Sequence, residues 1–115
     1  MSEKIQVRRL DGVTILDISG RITLGEGSVG LRDAVHKELE AGSKKILLNL
    51  AGVSYMDSSG VGELTSAYSS AKHQGADIKL VNLTKKVDGL MQITKLATVF
   101  DIASDESSAI ASFQK

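Results

Sequence analysis

The run Ile46-Leu47-Leu48-Asn49-Leu50, followed four residues later by Tyr55-Met56-Asp57-Ser58-Ser59-Gly60-Val61-Gly62, decides how the rest of the chain is read. The first block is the most apolar in the sequence and suits a central strand buried on both faces or nearly so. The second block turns from strand to helix. Asp57 is a natural N-cap whose carboxylate can accept from the N–H of Ser59 or Gly60, and Val61, Leu64, Tyr68 and Ala71 then recur at helical spacing until about His73, before Gly75. Two adjacent hydroxyls, Ser58 and Ser59, therefore stand where a helix begins. Unpaired backbone N–H groups and the positive end of the helix dipole favour an anion at that place. Gly60 and Gly62 each cost about 1 kcal/mol of helix propensity relative to Ala, which suggests that something approaches this backbone closely.

Outward from this centre the pattern alternates. Upstream, Ile5 and Val7, then Asp11-Gly12, then Val13 to Ile18 predict a hairpin closed by a tight Asp-Gly turn. A glycine-containing loop from Ser19 to Gly30 leads into a helix carrying Leu31, Ala34, Val35 and Leu39 and ending near Gly42. Downstream, Ile78 to Leu83 predicts a strand, Thr84 caps a helix carrying Val87, Leu90, Met91 and Ile93, and Val99 to Ile102 predicts a last short strand. A final helix after Ser104-Asp105-Glu106 buries Ala109, Ile110 and Phe113. Regular strand–helix alternation implies parallel strands joined by right-handed crossovers, hence one α/β domain over residues 1–115 with an antiparallel hairpin at its start. If the strands step across the sheet in one direction the helices share a face; if the order reverses, both faces are covered and a crevice opens at the switch point. Periodicity leaves that choice open.

Composition narrows the function. Fourteen Lys and Arg balance fourteen Asp and Glu, and they are interspersed, so no footprint for nucleic acid or an anionic membrane is visible. Arg8-Arg9, Lys44-Lys45 and Lys85-Lys86 read as solvated flanking charges, and two Tyr plus two Phe offer no platform for stacked bases. The absence of cysteine removes disulfides, thiol catalysis and thiolate metal sites. No secretory signal is evident at Met1-Ser2-Glu3-Lys4, and no apolar run approaches the roughly 20 residues needed to span a bilayer. A cytoplasmic protein without membrane insertion is expected.

Four catalytic or cofactor readings fail on their context. Gly25-Glu26-Gly27-Ser28-Val29-Gly30 has dinucleotide-loop spacing, but it does not lie in the turn that ends a strand, and no acid ends the next strand to hold a ribose. A nucleophile elbow at Ser59 needs glycine where Asp57 stands. His36 and His73, the sole imidazoles, fall late in their helices, away from Ser58 and Ser59, and are too few to suggest a metal site. A receiver-type phosphoaspartate needs an acidic pair after the receiver's first strand to hold magnesium, and the matching region here reads Ser19-Gly20-Arg21-Ile22. No cofactor and no catalytic activity are expected.

The residues Leu48-Asn49-Leu50 and Val53-Ser54-Tyr55-Met56-Asp57-Ser58-Ser59-Gly60-Val61-Gly62 resemble the signature of anti-sigma factor antagonists, the small STAS domains of bacterial partner-switching systems. The likeness extends along the chain through Gly20, the helix around Ala34 and the late Thr94-Lys95-Leu96 and Val99-Phe100, with Asp-Ser-Ser-Gly its specific part. It implies a STAS fold: a mostly parallel central sheet, the N-terminal β-hairpin, and about four helices packed on one face. It also implies that Ser58 is a phosphoacceptor, modified by an anti-sigma factor that is an ATP-dependent serine kinase and restored by a PP2C-type phosphatase. In such families the unmodified antagonist holds the kinase and frees a sigma factor. Asp57, Ser58, Ser59, Gly60 and Gly62 are then the expected partner-binding residues. Many members carry acids after the glycine that ends the second strand, whereas this chain has Arg21, Ile22 and Thr23, so Arg21 and Thr23 are expected to bear on partner choice. The alternative is a constitutive STAS scaffold, a subunit of a signalling assembly or an ABC-type lipid-transport complex, in which the serines only cap a helix.

Overall fold

The computed structural model describes residues 3–22, 26–95 and 100–113. Strands β1 (Glu3–Leu10) and β2 (Val13–Ile22) form the predicted hairpin. Asp11 and Gly12 turn it with φ of 53° and 80°, the left-handed pair that a two-residue turn needs to follow the strands' twist. Helix α1 (Glu26–Glu40), strand β3 (Lys45–Met56), helix α2 (Ser58–His73), strand β4 (Asp77–Val81), helix α3 (Lys85–Ile93), strand β5 (Asp101–Ala103) and helix α4 (Glu106–Phe113) follow. The sheet order is β1-β2-β3-β4-β5, antiparallel at β1–β2 and parallel elsewhere.

Because consecutive parallel strands are always neighbours, each crossover steps the same way, and the three crossover helices land on one face. There Leu31, Val35 and Leu39 of α1, Val61, Leu64, Ala67 and Ala71 of α2, and Val87 and Met91 of α3 close over Leu16, Ile18, Ile46, Leu48, Leu50, Ile78 and Leu80. The fourth helix departs from the expected one-sided packing. Helix α4 follows the last strand, so no crossover dictates its side. It buries Ala109, Ile110 and Phe113 on the opposite face, against Val13, Ile15, Leu47 and Val81. Those strand residues alternate with the main-core ones, which is why Leu47 and Leu48 are both fully buried and why the Ile46–Leu50 run lacks clean alternation.

Two sequence expectations shift at the C-terminal side. Ile93 is 80% exposed, because it is out of phase with Val87 and Met91, one turn apart on the face toward the sheet. The described part of the last strand is Asp101–Ala103; Val99 lies outside the described residues, and Phe100 is buried with its ring 5.1 Å from that of Tyr68. Among the described residues no helix is long and apolar enough to cross a membrane.

Candidate functional site

The end of β3 and the start of α2 build the site. Asp57 sits in extended conformation, and its Oδ1 accepts the N–H of Gly60 at 3.0 Å, while the Asp57 carbonyl accepts the Val61 N–H. The Asp57 N–H itself donates to the Ile22 carbonyl at 3.4 Å, which ties the cap to the end of β2. The first turn of α2 carries no acid, so the cap carboxylate is the charge nearest to the positive end of the dipole.

Helix geometry left the two serines equivalent, and burial separates them. Ser58 is exposed, and among the described residues no hydrogen bond engages its hydroxyl; Ser59 is half-buried. The two glycines differ as well. A Cβ on Gly60 would lie 2.7 Å from Met56 Cγ and closer still to the Ile22 carbonyl oxygen, so Gly60 lets α2 sit directly on the end of β2. That corrects its expected role, since Gly60 is buried and unable to face a partner. Gly62 is exposed, with nothing within 4 Å of where a Cβ would be, and it remains a candidate contact.

Arg21 pairs with Tyr55 across the β2–β3 ladder, one step before Ile22–Met56, and its guanidinium carbon lies 5.2 Å from the centre of the Tyr55 ring. Both side chains are exposed. Irregular register between Asp17 and Ser19 and between Gly20 and Arg21 re-aims this end of β2, and Ser54 Oγ donates to the Gly20 carbonyl across it. Arg21 and Tyr55 thus form a cationic, aromatic shoulder beside the Asp57–Ser58 turn. Tyr55 was not singled out from the sequence; its signal is an aromatic residue three positions before Ser58 where a core strand should already have ended. Thr23 lies outside the described residues.

His36 and His73 lie where the helical phase puts them, away from the serine pair. His36 Nε2 is 3.1 Å from Ser70 Oγ and staples α1 to α2. Among the described residues no group of three or more His, Cys, Asp or Glu could hold a metal ion.

A second polar feature, not anticipated from the sequence, crosses the part of the α4 face that α4 leaves open. Arg8 donates to Asp17 and to Glu106, Asn49 Nδ2 donates to Asp17 Oδ1 at 2.8 Å, and Asn82 Nδ2 donates to Asn49 Oδ1 at 3.1 Å. The Arg8 hydrogen bonds hold the Asp17 carboxyl below its ordinary range, against the opposing effect of partial burial, with the Asn49 bond adding to the lowering. These residues are spread through the chain, so spacing could not reveal them.

Known proteins are similar in sequence or in fold. A relative in Bacillus subtilis (strain 168), the anti-sigma-B factor antagonist, is 29% identical over 110 residues, covering 96% of this chain and 99% of its own. The structure of an anti-sigma factor antagonist from Mycobacterium paratuberculosis matches with a TM-score of 0.85 at 17% identity, covering 99% of this chain and 96% of that one. The anti-sigma factor antagonist SpoIIAA matches in its unphosphorylated form with a TM-score of 0.79 at 20% identity, covering 96% of each chain. The phosphorylated form of SpoIIAA, described as a Bacillus cell fate determinant, matches with a TM-score of 0.71 at 20% identity, covering 96% of this chain and 99% of that one. The STAS domain model matches residues 4–109. With nearly the whole chain so matched, and with the sheet order and the capped helix start in place, the protein belongs to the STAS domain family.

Proposed function

We propose that this chain is an anti-sigma factor antagonist: a binding module, without catalysis of its own, that in its unphosphorylated form captures an anti-sigma factor and so releases a sigma factor. The captured partner is also an ATP-dependent serine kinase, which transfers phosphate to Ser58 and thereby ends the complex; a PP2C-type phosphatase resets it. All of this takes place in the cytoplasm. The observation that carries the reading is the exposed, unpaired hydroxyl of Ser58 at the first position of a helix whose cap charge is already engaged.

The physical case has two sides. A phosphate of nearly two negative charges on Ser58 meets the free N–H groups of the first turn and the dipole's positive end, a gain of about 0.3 to 2 kcal/mol, so the fold tolerates it. At an interface the same dianion must be desolvated beside Asp57, and that cost falls on the complex. Exposed Gly62 keeps the approach along α2 free of side chains, and the Arg21–Tyr55 shoulder offers a flat cationic surface that would select a partner with acidic residues opposite it.

Incubation with the cognate kinase and ATP should add one phosphate, located on Ser58 by mass spectrometry. Ser58→Asp should weaken kinase binding at least about tenfold, equivalent to 1.4 kcal/mol, whereas Ser58→Ala should bind and resist modification. Phosphate found on Ser59 would reject Ser58 as the acceptor, and a chain that stays unmodified, or full binding by Ser58→Asp, would reject the switch and favour the constitutive scaffold.

A further inference from the structure

We infer that strand β1 is a self-complementary edge through which two copies of this chain join into one continuous ten-stranded sheet. Strand β1 is an outer strand, paired among the described residues with β2 alone. In a hairpin closed by a two-residue turn the flanking pair Leu10–Val13 exchanges both hydrogen bonds, and pairs alternate from there. The backbone groups of Lys4, Gln6, Arg8 and Leu10 are therefore directed at β2, and those of Glu3, Ile5, Val7 and Arg9 point outward. An edge with four consecutive free donor–acceptor positions is a template for another strand.

The side chains say which strand. Two copies related by a two-fold axis perpendicular to the sheet must pair antiparallel, with residues of the same face opposite one another. An axis at Gln6 sets Ile5 against the second copy's Val7 and Val7 against its Ile5. These are the outward-pointing positions, so apolar pairs and free backbone groups fall in register together. Moving the axis to Val7 would oppose Ile5 to Arg9 and Gln6 to Arg8, and moving it to Ile5 would leave Val7 without an apolar residue opposite it; neither keeps the complementarity.

Exposure fits this occupant. Val7 is 43% exposed, although its neighbour Ile5 packs against the main core. Between β1 and α1 lies a groove of about 330 Å³ lined by Ile5, Val7, Gly30, Ala34, Lys37 and Glu38, into which the second copy's Val7 would extend. The charges that would repel an approaching copy are already met within the chain, Arg8 by Asp17 and Glu106 and Arg9 by Glu38. Only the Lys4–Arg8 contact opposes like charges, and the two carboxylates on Arg8 offset it.

The chain has no cysteine, so single cysteines test the register cleanly. At Gln6 the axis places two thiols on directly opposed residues about 4.5 to 5.5 Å apart at Cα, inside disulfide range. At Val7 the two thiols are separated by a further two residues along the strand and lie outside it. Mild oxidation should convert Gln6→Cys to a disulfide dimer at least about tenfold faster than Val7→Cys or the distant control Ser66→Cys. Sedimentation velocity of the unmodified chain should show a concentration-dependent dimer that Val7→Lys abolishes while its circular dichroism stays unchanged. Equal cross-linking rates at the three positions, or a monomer at every concentration up to the millimolar range, would overturn the inference. So would a dimer that survives Val7→Lys. None of this depends on phosphorylation of Ser58, and a protein that is never modified could still dimerise through β1.

Discussion

At Gly60 and Gly62 the same residue type does opposite things two positions apart. Alanine at Gly62 meets nothing within 4 Å beyond its chain neighbours and its own helix's backbone, so it should gain helix propensity and stabilise the chain by about 0.5 to 1 kcal/mol. Alanine at Gly60 gains the same propensity but forces its methyl onto the Ile22 carbonyl and Met56. Overpacking of that kind costs about 1 to 3 kcal/mol, so the net change should be destabilising. Urea denaturation of the two variants beside the parent measures both, and equal midpoints would show that the β2–α2 approach is not tight. The difference was hidden in the sequence because the residue that confines Gly60 is Ile22, far away in the chain. Asp57 was legible for the opposite reason: an N-cap is set by the three residues that follow it. Ser58 and Ser59 fall between these cases, since capping geometry marks the pair while the packing of α2 on the sheet exposes one and half-buries the other.

At the scale of elements, helix and strand identities could be read because each element carries its own periodicity, and the crossover rule places α1 to α3 on one face only once the strand order β1-β2-β3-β4-β5 is in hand. Helix α4 escaped that rule. Its apolar residues Ala109, Ile110 and Phe113 declare a buried stripe without saying against what, and the answer lay in Val13, Ile15, Leu47 and Val81, which periodicity had assigned to no particular face. The helix is short, and it is held by that stripe together with Arg8–Glu106 and the hydrogen bond from Lys79 Nζ to Ser112. Lys79 also lies 4.9 Å from the centre of the Phe113 ring. Phe113→Ala should remove much of this, at about 3 kcal/mol or slightly more by the usual cost of deleting a buried aromatic ring. Hydrogen exchange should show where the loss falls: amides of α4 exchange faster while those of β3 and α2 keep their order of protection. Uniform loss across the sheet would mean that α4 is an integral part of the main cooperative unit.

Across the whole molecule, the polar chain Glu106–Arg8–Asp17–Asn49–Asn82 links α4, the hairpin, the central strand and the turn after β4 over the sheet face opposite the main core. It joins segments that lie far apart in the chain, and its keystone is Asp17. Asn82 adopts φ of 58°, a left-handed conformation that asparagine tolerates better than most residues. Because Arg8, first, and Asn49 hold the folded-state Asp17 carboxyl below its ordinary value of 3.8, the unfolded chain binds the proton more readily. The stability contributed by Asp17 is therefore complete above about pH 4 and is lost as pH falls through its lower folded value. Asp105, which accepts from the Ser108 N–H at the start of α4, is lowered in the same direction and adds to the same acid limb. Asp17→Asn keeps the shape of the side chain but not its charge, and it should cost about 1 kcal/mol at pH 7, a modest figure because the Arg8 pair is partly solvated. That difference should shrink steadily below pH 4 and disappear once the parent's Asp17 is protonated. Urea midpoints for the two proteins at pH 7, 5, 4 and 3 decide it: converging curves identify Asp17 as the titrating keystone, and parallel curves would mean that the network adds no charge-dependent stability.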